Sequence, residues 1–198
     1  MQNFIIKTCW MNKGRNIGLK EYYEVIKKVC KKREGVEFLG LYRPLNDGWN
    51  WAYFLKTDNI DKWRELDNEI NKLYVDTNDN VNKILTRIYE GSDQLKKPPI
   101  PKKKDPFNYI CEEMMVWAEI DVGLNDYYST VCEILEEVEN IRFLGIYIPW
   151  SEKYNYTFFH MLDAPSHLVD LENIILRQHG RPENLTVYVI RLYERFEP

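Results

Sequence analysis

One stretch of this chain occurs twice. Residues 38–44 read Phe-Leu-Gly-Leu-Tyr-Arg-Pro, and residues 143–149 read Phe-Leu-Gly-Ile-Tyr-Ile-Pro, 105 positions later. The likeness extends beyond that stretch. Between Gly18 and Ile70, 16 of 53 positions are identical at the same offset without a gap, among them Gly18, Leu19, Tyr22, Tyr23, Asn50, Phe54, Asp58 and Leu66. A chain built this way is an internal duplication, and whatever one half folds into, the other must also fold into.

The element order within one copy follows from periodicity. Phe4 to Trp10 reads as a strand. Leu19, Tyr22, Tyr23, Ile26, Val29 and Cys30 recur at the spacing of one buried helix stripe, and Glu34-Gly35 stops that helix. Val36 to Tyr42 and Trp49 to Lys56 flank the turn-forming segment 44–48 and predict a hairpin. Asp58 is the expected cap of a second helix that buries Ile60, Trp63, Leu66, Ile70 and Leu73. Val81 to Glu90 closes the unit. The second copy repeats the order from Met114 to Tyr193. The predicted organisation is therefore repeat 1 over 1–91, a Pro/Lys-rich linker over 92–107 and repeat 2 over 108–198.

Charge and cysteine usage narrow the class. Net charge is −4, divided as +3 for residues 1–91, +3 for 92–107 and −10 for 108–198. The basic residues form no dense aromatic-interleaved face, so no nucleic-acid partner is expected. The four cysteines Cys9, Cys30, Cys111 and Cys132 form no CxxC pair and read as buried free thiols of a reducing, cytoplasmic setting. No apolar run reaches the roughly 18 residues of a membrane span, so no membrane partner is expected. The three histidines share no metal-ligand spacing, and no metal site is expected.

A β-α-β-β-α-β unit is the ferredoxin-like arrangement, α+β, with both helices on one sheet face and the other face bare. A bare apolar face must be covered, and here the chain supplies a second sheet itself. The chain thus resembles the dimeric α/β-barrel superfamily in a tandem, single-chain form, an intramolecular pseudo-dimer whose two antiparallel sheets pack into an α/β barrel. That superfamily includes antibiotic-biosynthesis monooxygenases, EthD-like and stress-responsive barrel proteins, and the chlorite-dismutase group, which is also duplicated and uses haem held by a histidine. The resemblance implies a monomer with pseudo-two-fold symmetry or a weak homodimer.

Strand alternation then sorts side chains into faces. Leu39 and Leu41 with Leu144 and Ile146, and Ala52 and Phe54 with Thr157 and Phe159, are assigned to the helix side. Phe38, Gly40 and Tyr42 with their mates Phe143, Gly145 and Tyr147 are assigned to the barrel. So are Trp49, Trp51, Tyr53 and Leu55 with Tyr154, Tyr156, Phe158 and His160. The barrel also receives Arg87, Tyr89, Arg191 and Tyr193 from the last strands. From the first strands it receives Lys7, Cys9, Met115, Trp117 and Glu119. Apolar walls with a few orienting polar groups make a small-molecule pocket. In that reading His160, which replaces Leu55 of the first copy, is a general base. Arg87 and Arg191 stabilise an anion. Tyr42, Trp49, Trp51, Trp117, Glu119, Tyr147, Tyr154 and Tyr156 line the ligand.

Three functions stay open on these residues. One is a pocket for a small aromatic or apolar molecule between the sheets, with cofactor-free monooxygenase or cyclase-like chemistry and no cofactor predicted. Another is a filled barrel serving as a structural or interaction protein. The third is haem binding. Whether the chain is an enzyme is not decided at this level.

Overall fold

The computed structural model describes residues 3–12, 18–75, 81–91, 107–117, 123–151, 153–180 and 185–198. Repeat 1 comprises β1 (Phe4–Asn12), α1 (Leu19–Lys31), β2 (Val36–Pro44), β3 (Trp51–Thr57), α2 (Ile60–Val75) and β4 (Val81–Gly91). Repeat 2 comprises β5 (Tyr109–Trp117), α3 (Leu124–Glu137), β6 (Ile141–Pro149), β7 (Tyr156–Leu162), α4 (Pro165–His179) and β8 (Leu185–Arg195). The two halves have the same order, as the duplication requires. Apart from Phe107, the expected linker lies outside the described residues.

Each helix pair covers its own sheet. Leu19, Tyr22, Ile26 and Val29 of α1 pack with Leu66 and Ile70 of α2 on Trp10, Trp51 and Tyr53. In repeat 2, Leu124, Tyr128 and Val131 of α3 pack with Leu168, Leu171 and Ile175 of α4 on Phe143, Tyr156 and Phe158. Both first helices start at a glycine in the left-handed region, Gly18 at φ 68° and Gly123 at φ 74°, which explains the repeated Gly-Leu-x-x-Tyr-Tyr. The cap of α2 is Asn59, whose Oδ1 accepts the Asp61 N–H at 2.8 Å, and not Asp58, which pairs instead with Lys62 at 2.9 Å.

The eight strands close a barrel in the order β1-β3-β2-β8-β5-β7-β6-β4. Its two seams are equivalent. At one, Tyr42, Arg43 and Pro44 pair with Arg195, Glu194 and Tyr193. At the other, Tyr147, Ile148 and Pro149 pair with Gly91, Glu90 and Tyr89. Between the sheets lies a third core of Ile5, Leu39, Tyr42, Phe54, Tyr89 and Ile110 with Leu144, Tyr147, Phe159, Met161 and Tyr193.

The repeated Phe-Leu-Gly-x-Tyr-x-Pro is a β-bulge. Pairing between β2 and β3 shifts between Phe38 and Gly40, and that between β6 and β7 shifts between Phe143 and Gly145. One extra residue reverses the alternation, so Leu39 and Tyr42 both point into the barrel while Phe38 and Leu41 face the helices. The expected placement of Phe38, Phe143, Leu39 and Leu144 is corrected by this bulge. The tyrosine closes it: Tyr42 Oη donates to the Leu39 carbonyl at 2.9 Å, and Tyr147 Oη to the Leu144 carbonyl at 3.1 Å. Gly40 has φ 136°, and a Cβ there would lie 3.0 Å from the Tyr42 ring; at Gly145 the nearest atom would be 3.5 Å away. Gly40→Ala is therefore expected to destabilise by about 1–3 kcal/mol, and Gly145→Ala by less. Urea denaturation of the two variants tests that order.

The second strands need a larger correction. Ala52, Phe54 and Phe159 face the barrel, while Trp51, Tyr53, Leu55, Tyr156 and Phe158 belong to the helix-side cores. Both faces of these strands are apolar, so hydrophobicity carries no signal about which is which. Register would have settled it: Lys7 stands opposite Phe54 on the neighbouring strand, and cross-strand partners share a face.

Candidate functional site

The barrel's centre is charged. Lys7 of β1 and Glu112 of β5 occupy equivalent positions of the two repeats, point at each other and form an ion pair, both with fully buried side chains. Glu112 also accepts hydrogen bonds from Tyr89 Oη and from Tyr193 Oη, the latter at 2.9 Å. Lys7 Nζ donates to Tyr193 Oη at 3.0 Å and lies 5.7 and 5.3 Å from the centroids of the Tyr89 and Tyr193 rings. Arg191 Nη1 is 3.8 Å from the Glu112 carboxylate, its side chain 20% exposed. Arg87 stands in register with Lys7, as Arg191 does with Glu112.

Each group follows from its strand. In β1, Ile5, Lys7 and Cys9 alternate inward; in β4 and β8, Tyr89 and Tyr193 do. Burial lowers the Lys7 ammonium pKa, and the Glu112 charge only partly offsets this. Burial pushes the Glu112 carboxyl the other way, but the Lys7 charge and the hydrogen bonds from Lys7 and Tyr89 outweigh it, so its pKa falls below the ordinary 4.5. The same burial raises the Tyr193 hydroxyl well above its usual range and the neighbouring Cys9 thiol to about 11. Glu112 is thus held as a carboxylate and the tyrosines as neutral donors to it.

Arg87, Arg191, Tyr42, Tyr147 and Trp49 point toward the barrel as expected, Trp49 packing at its edge. His160 does not. It stands opposite Cys111 on β5 and Phe143 on β6, both in the helix-side core. There its ring stacks on Phe143 at 4.8 Å and its Nε2 lies 3.4 Å from a Glu113 carboxylate oxygen. Trp51 and Tyr156 share the helix side of their own repeats, and Trp51 packs against Phe196 at 4.7 Å. Tyr154 is half-buried ahead of β7 with Lys153 Nζ 5.6 Å from its ring. Met115 joins the helix-side core, the Trp117 side chain is not among those described, and Glu119 lies outside the described residues.

Glu112 is the residue that sequence reasoning missed. The offset of 105 from Lys7 lands on it directly. Placing Met115, Trp117 and Glu119 inward shifted β5 by an odd number of residues and so turned the strand over.

A haem would require a histidine nitrogen facing a slot wide enough for the macrocycle. His160 Nδ1 is buried without a hydrogen-bond partner, but the side chain is 1% exposed and clamped between sheet and helices. His167 borders a cleft of about 140 Å³ formed with Val138, Ile141, Leu171 and Ile174, against roughly 300 Å³ for the smallest usual ligand sites. Neither of these two histidines opens onto a described cavity wide enough for haem. Among the described residues no group of three or more His, Cys, Asp or Glu is placed to hold a metal ion, and no helix is long and apolar enough to cross a membrane.

No family model matches the sequence, and no curated protein does. Solved structures do match in shape. A crystal structure assigned to a chlorite dismutase superposes with a TM-score of 0.66 at 11% identity, covering 100% of this chain and 96% of that one. A haem-binding protein from Thermus thermophilus gives 0.62 at 8% identity over 100% and 92%. A mutant chlorite dismutase from Candidatus Nitrospira defluvii gives 0.65 at 8% over 98% and 91%. Near-complete coverage in both directions means that the whole two-repeat barrel is shared, while identities this low carry the fold alone. The chain therefore shares the fold of chlorite dismutase-like structures, an eight-stranded closed barrel built from two ferredoxin-like β-α-β-β-α-β repeats.

Proposed function

We propose that the protein binds a small anionic molecule at the arginine-lined part of the barrel. One observation carries this reading: the equivalent strands β4 and β8 bring two arginines, Arg87 and Arg191, into register with the buried Lys7–Glu112 pair. Lys7 neutralises Glu112, yet the charges of Arg87 and Arg191 also act on Lys7 and further lower its ammonium pKa. Two half-buried arginines brought beside the barrel's centre by an equivalent pair of strands favour an anion there. The aromatic rings behind them, Phe54 and Tyr193 at 5.1 Å and Tyr89 and Phe159 at 4.9 Å, fill the space where a large aromatic ligand would otherwise sit. The ligand is accordingly small, its charged end toward the arginines. A general-base role for His160 loses its geometric support, because that ring lies on the far side of the sheet.

Thermal unfolding in the presence of phosphate or benzoate tests the reading. Binding to the folded state raises the midpoint with ligand concentration, and Arg87→Ala or Arg191→Ala should weaken the effect at least tenfold. No shift with either probe would reject the anion site. The names of the structural neighbours make hemin the necessary second probe. A stoichiometric Soret band that disappears in His160→Ala would replace this reading with haem binding.

A further inference from the structure

In a chain that duplicates itself, a residue touching its own counterpart in the other repeat lies on the pseudo-two-fold axis. Among the described residues, three ring or polar contacts join positions 105 apart. Phe54 meets Phe159 with ring centroids 6.3 Å apart, Lys7 meets Glu112, and Arg142 Nη2 donates to Glu37 Oε1 at 3.0 Å. The first is like with like, as true symmetry would dictate. The other two are opposite charges. We propose that these two pairs determine which sheets close the barrel, permitting repeat 1 to pair only with repeat 2.

The reasoning is one of alternatives. The two sheets share a topology and much of their barrel-facing core, Leu39 and Leu144, Tyr42 and Tyr147, Phe54 and Phe159. Apolar packing alone would let a sheet close on a copy of itself from another molecule. A barrel of two first repeats would set Lys7 against a second Lys7 and Glu37 against a second Glu37. A barrel of two second repeats would oppose two copies of Glu112 and two of Arg142. Both like pairings place equal charges at the axis, and the inner one does so at a position that is 0% exposed, where the repulsion is least screened. The outer pair, with side-chain exposures of 45% for Glu37 and 19% for Arg142, adds the same preference more weakly. Like pairing would also join molecules: two chains could close one barrel from their first repeats and another from their second, or a row of barrels could grow through successive neighbours. The charge reversal disfavours both assemblies. This inference concerns assembly and does not depend on the ligand.

Two full-length variants provide the test. One carries Lys7→Glu with Glu37→Arg, so that both of its repeats present the second repeat's charges at the axis. The other carries Glu112→Lys with Arg142→Glu, so that both present the first repeat's charges. Each alone is expected to lose compactness in size-exclusion chromatography with light scattering and to unfold roughly 10 °C below the parent. Unfolded together and refolded as an equimolar mixture, they should form a 1:1 heterodimer in which each barrel takes one repeat from each chain. All four substitutions in one chain should restore a monomer with close to the parental midpoint. The proposal is overturned if either variant alone stays a monomer of parental stability. It is also overturned if the mixture forms no heterodimer, or if the fourfold variant fails to recover, since the loss would then come from side-chain shape and not charge matching.

Discussion

Replacing Lys7 by methionine is expected to destabilise the protein by about 3–5 kcal/mol, the usual consequence of leaving one member of a buried ion pair uncompensated. Methionine fills nearly the same volume, so the loss measures charge and not a cavity. Glu112 would keep its hydrogen bonds from Tyr89 and Tyr193 but would sit fully buried without its directly bonded cation, with Arg191 3.8 Å away. Lys7→Met/Glu112→Gln should recover a large part of the loss, because neither member of the fully buried pair is left charged, Arg191 keeps its 20% exposure to solvent, and the amide oxygen still accepts from a tyrosine. Urea denaturation with an unchanged slope reads both values. Additive losses in the double variant would show that the two side chains do not act as a pair.

The same substitution changes how stability depends on pH. In the parent the Glu112 pKa lies below 4.5, so the unfolded chain takes up the proton first on acidification. The stability Glu112 contributes is complete above pH 4.5 and is lost as pH falls through the folded value. In Lys7→Met both lowering contributions of Lys7 are gone, and burial, which raises the pKa, is expected to prevail over the Tyr89 hydrogen bond and the Arg191 charge that remain. The folded state then binds the proton first, and acidification from neutral pH toward 4.5 should narrow the gap between variant and parent. A gap that stays constant from pH 7 to 4.5 would contradict the assignment of Lys7 as the dominant partner.

The sequence carried the architecture because duplication counts every signal twice. A helix stripe at Leu19, Tyr22 and Ile26 is one observation; the same stripe at Leu124, Tyr127 and Val131 makes it a rule. The faces were less legible, for two separate physical reasons. On β3 and β7 both faces are covered, one by helices and one by the opposite sheet, so Trp51 and Phe54 look equally fit for either. On β2 and β6 a bulge at Gly40 and Gly145 inserts one residue and breaks the two-residue period that face assignment assumes. The glycine was visible, and its shared spacing to a tyrosine two residues on was visible, but the hydrogen bond that makes the pair a bulge closure is a three-dimensional fact. The charged centre was half legible. Lys7 in an otherwise apolar strand marked one side, and the repeat offset marked Glu112, yet neither residue shows from sequence that it meets the other. His160 illustrates the converse. Its contrast with Leu55 is real, but the contrast reports a change in the helix-side core, where Glu113 replaces Thr8 as its neighbour.

Phe159→Ala is the second large effect expected, about 3–5 kcal/mol. This ring is fully buried where the sheets meet, 4.9 Å from the Tyr89 ring, 5.6 Å from Tyr147 and 6.3 Å from Phe54. The cost exceeds simple transfer because closed strands on every side cannot collapse into the space. Phe54→Ala, its counterpart on the axis, should cost a similar amount, since that ring packs at 5.5 Å from Tyr42 and 5.1 Å from Tyr193. The cavity also separates the filled barrel from the hollow one. If these rings are the filling, truncating Phe159 creates an apolar void that was not there before, and benzene or xenon should raise the variant's melting point while leaving the parent's unchanged. If the parent already responds to benzene with a comparable rise, a hollow exists beside the rings. The space between the sheets would then be open to an aromatic ligand in the native protein.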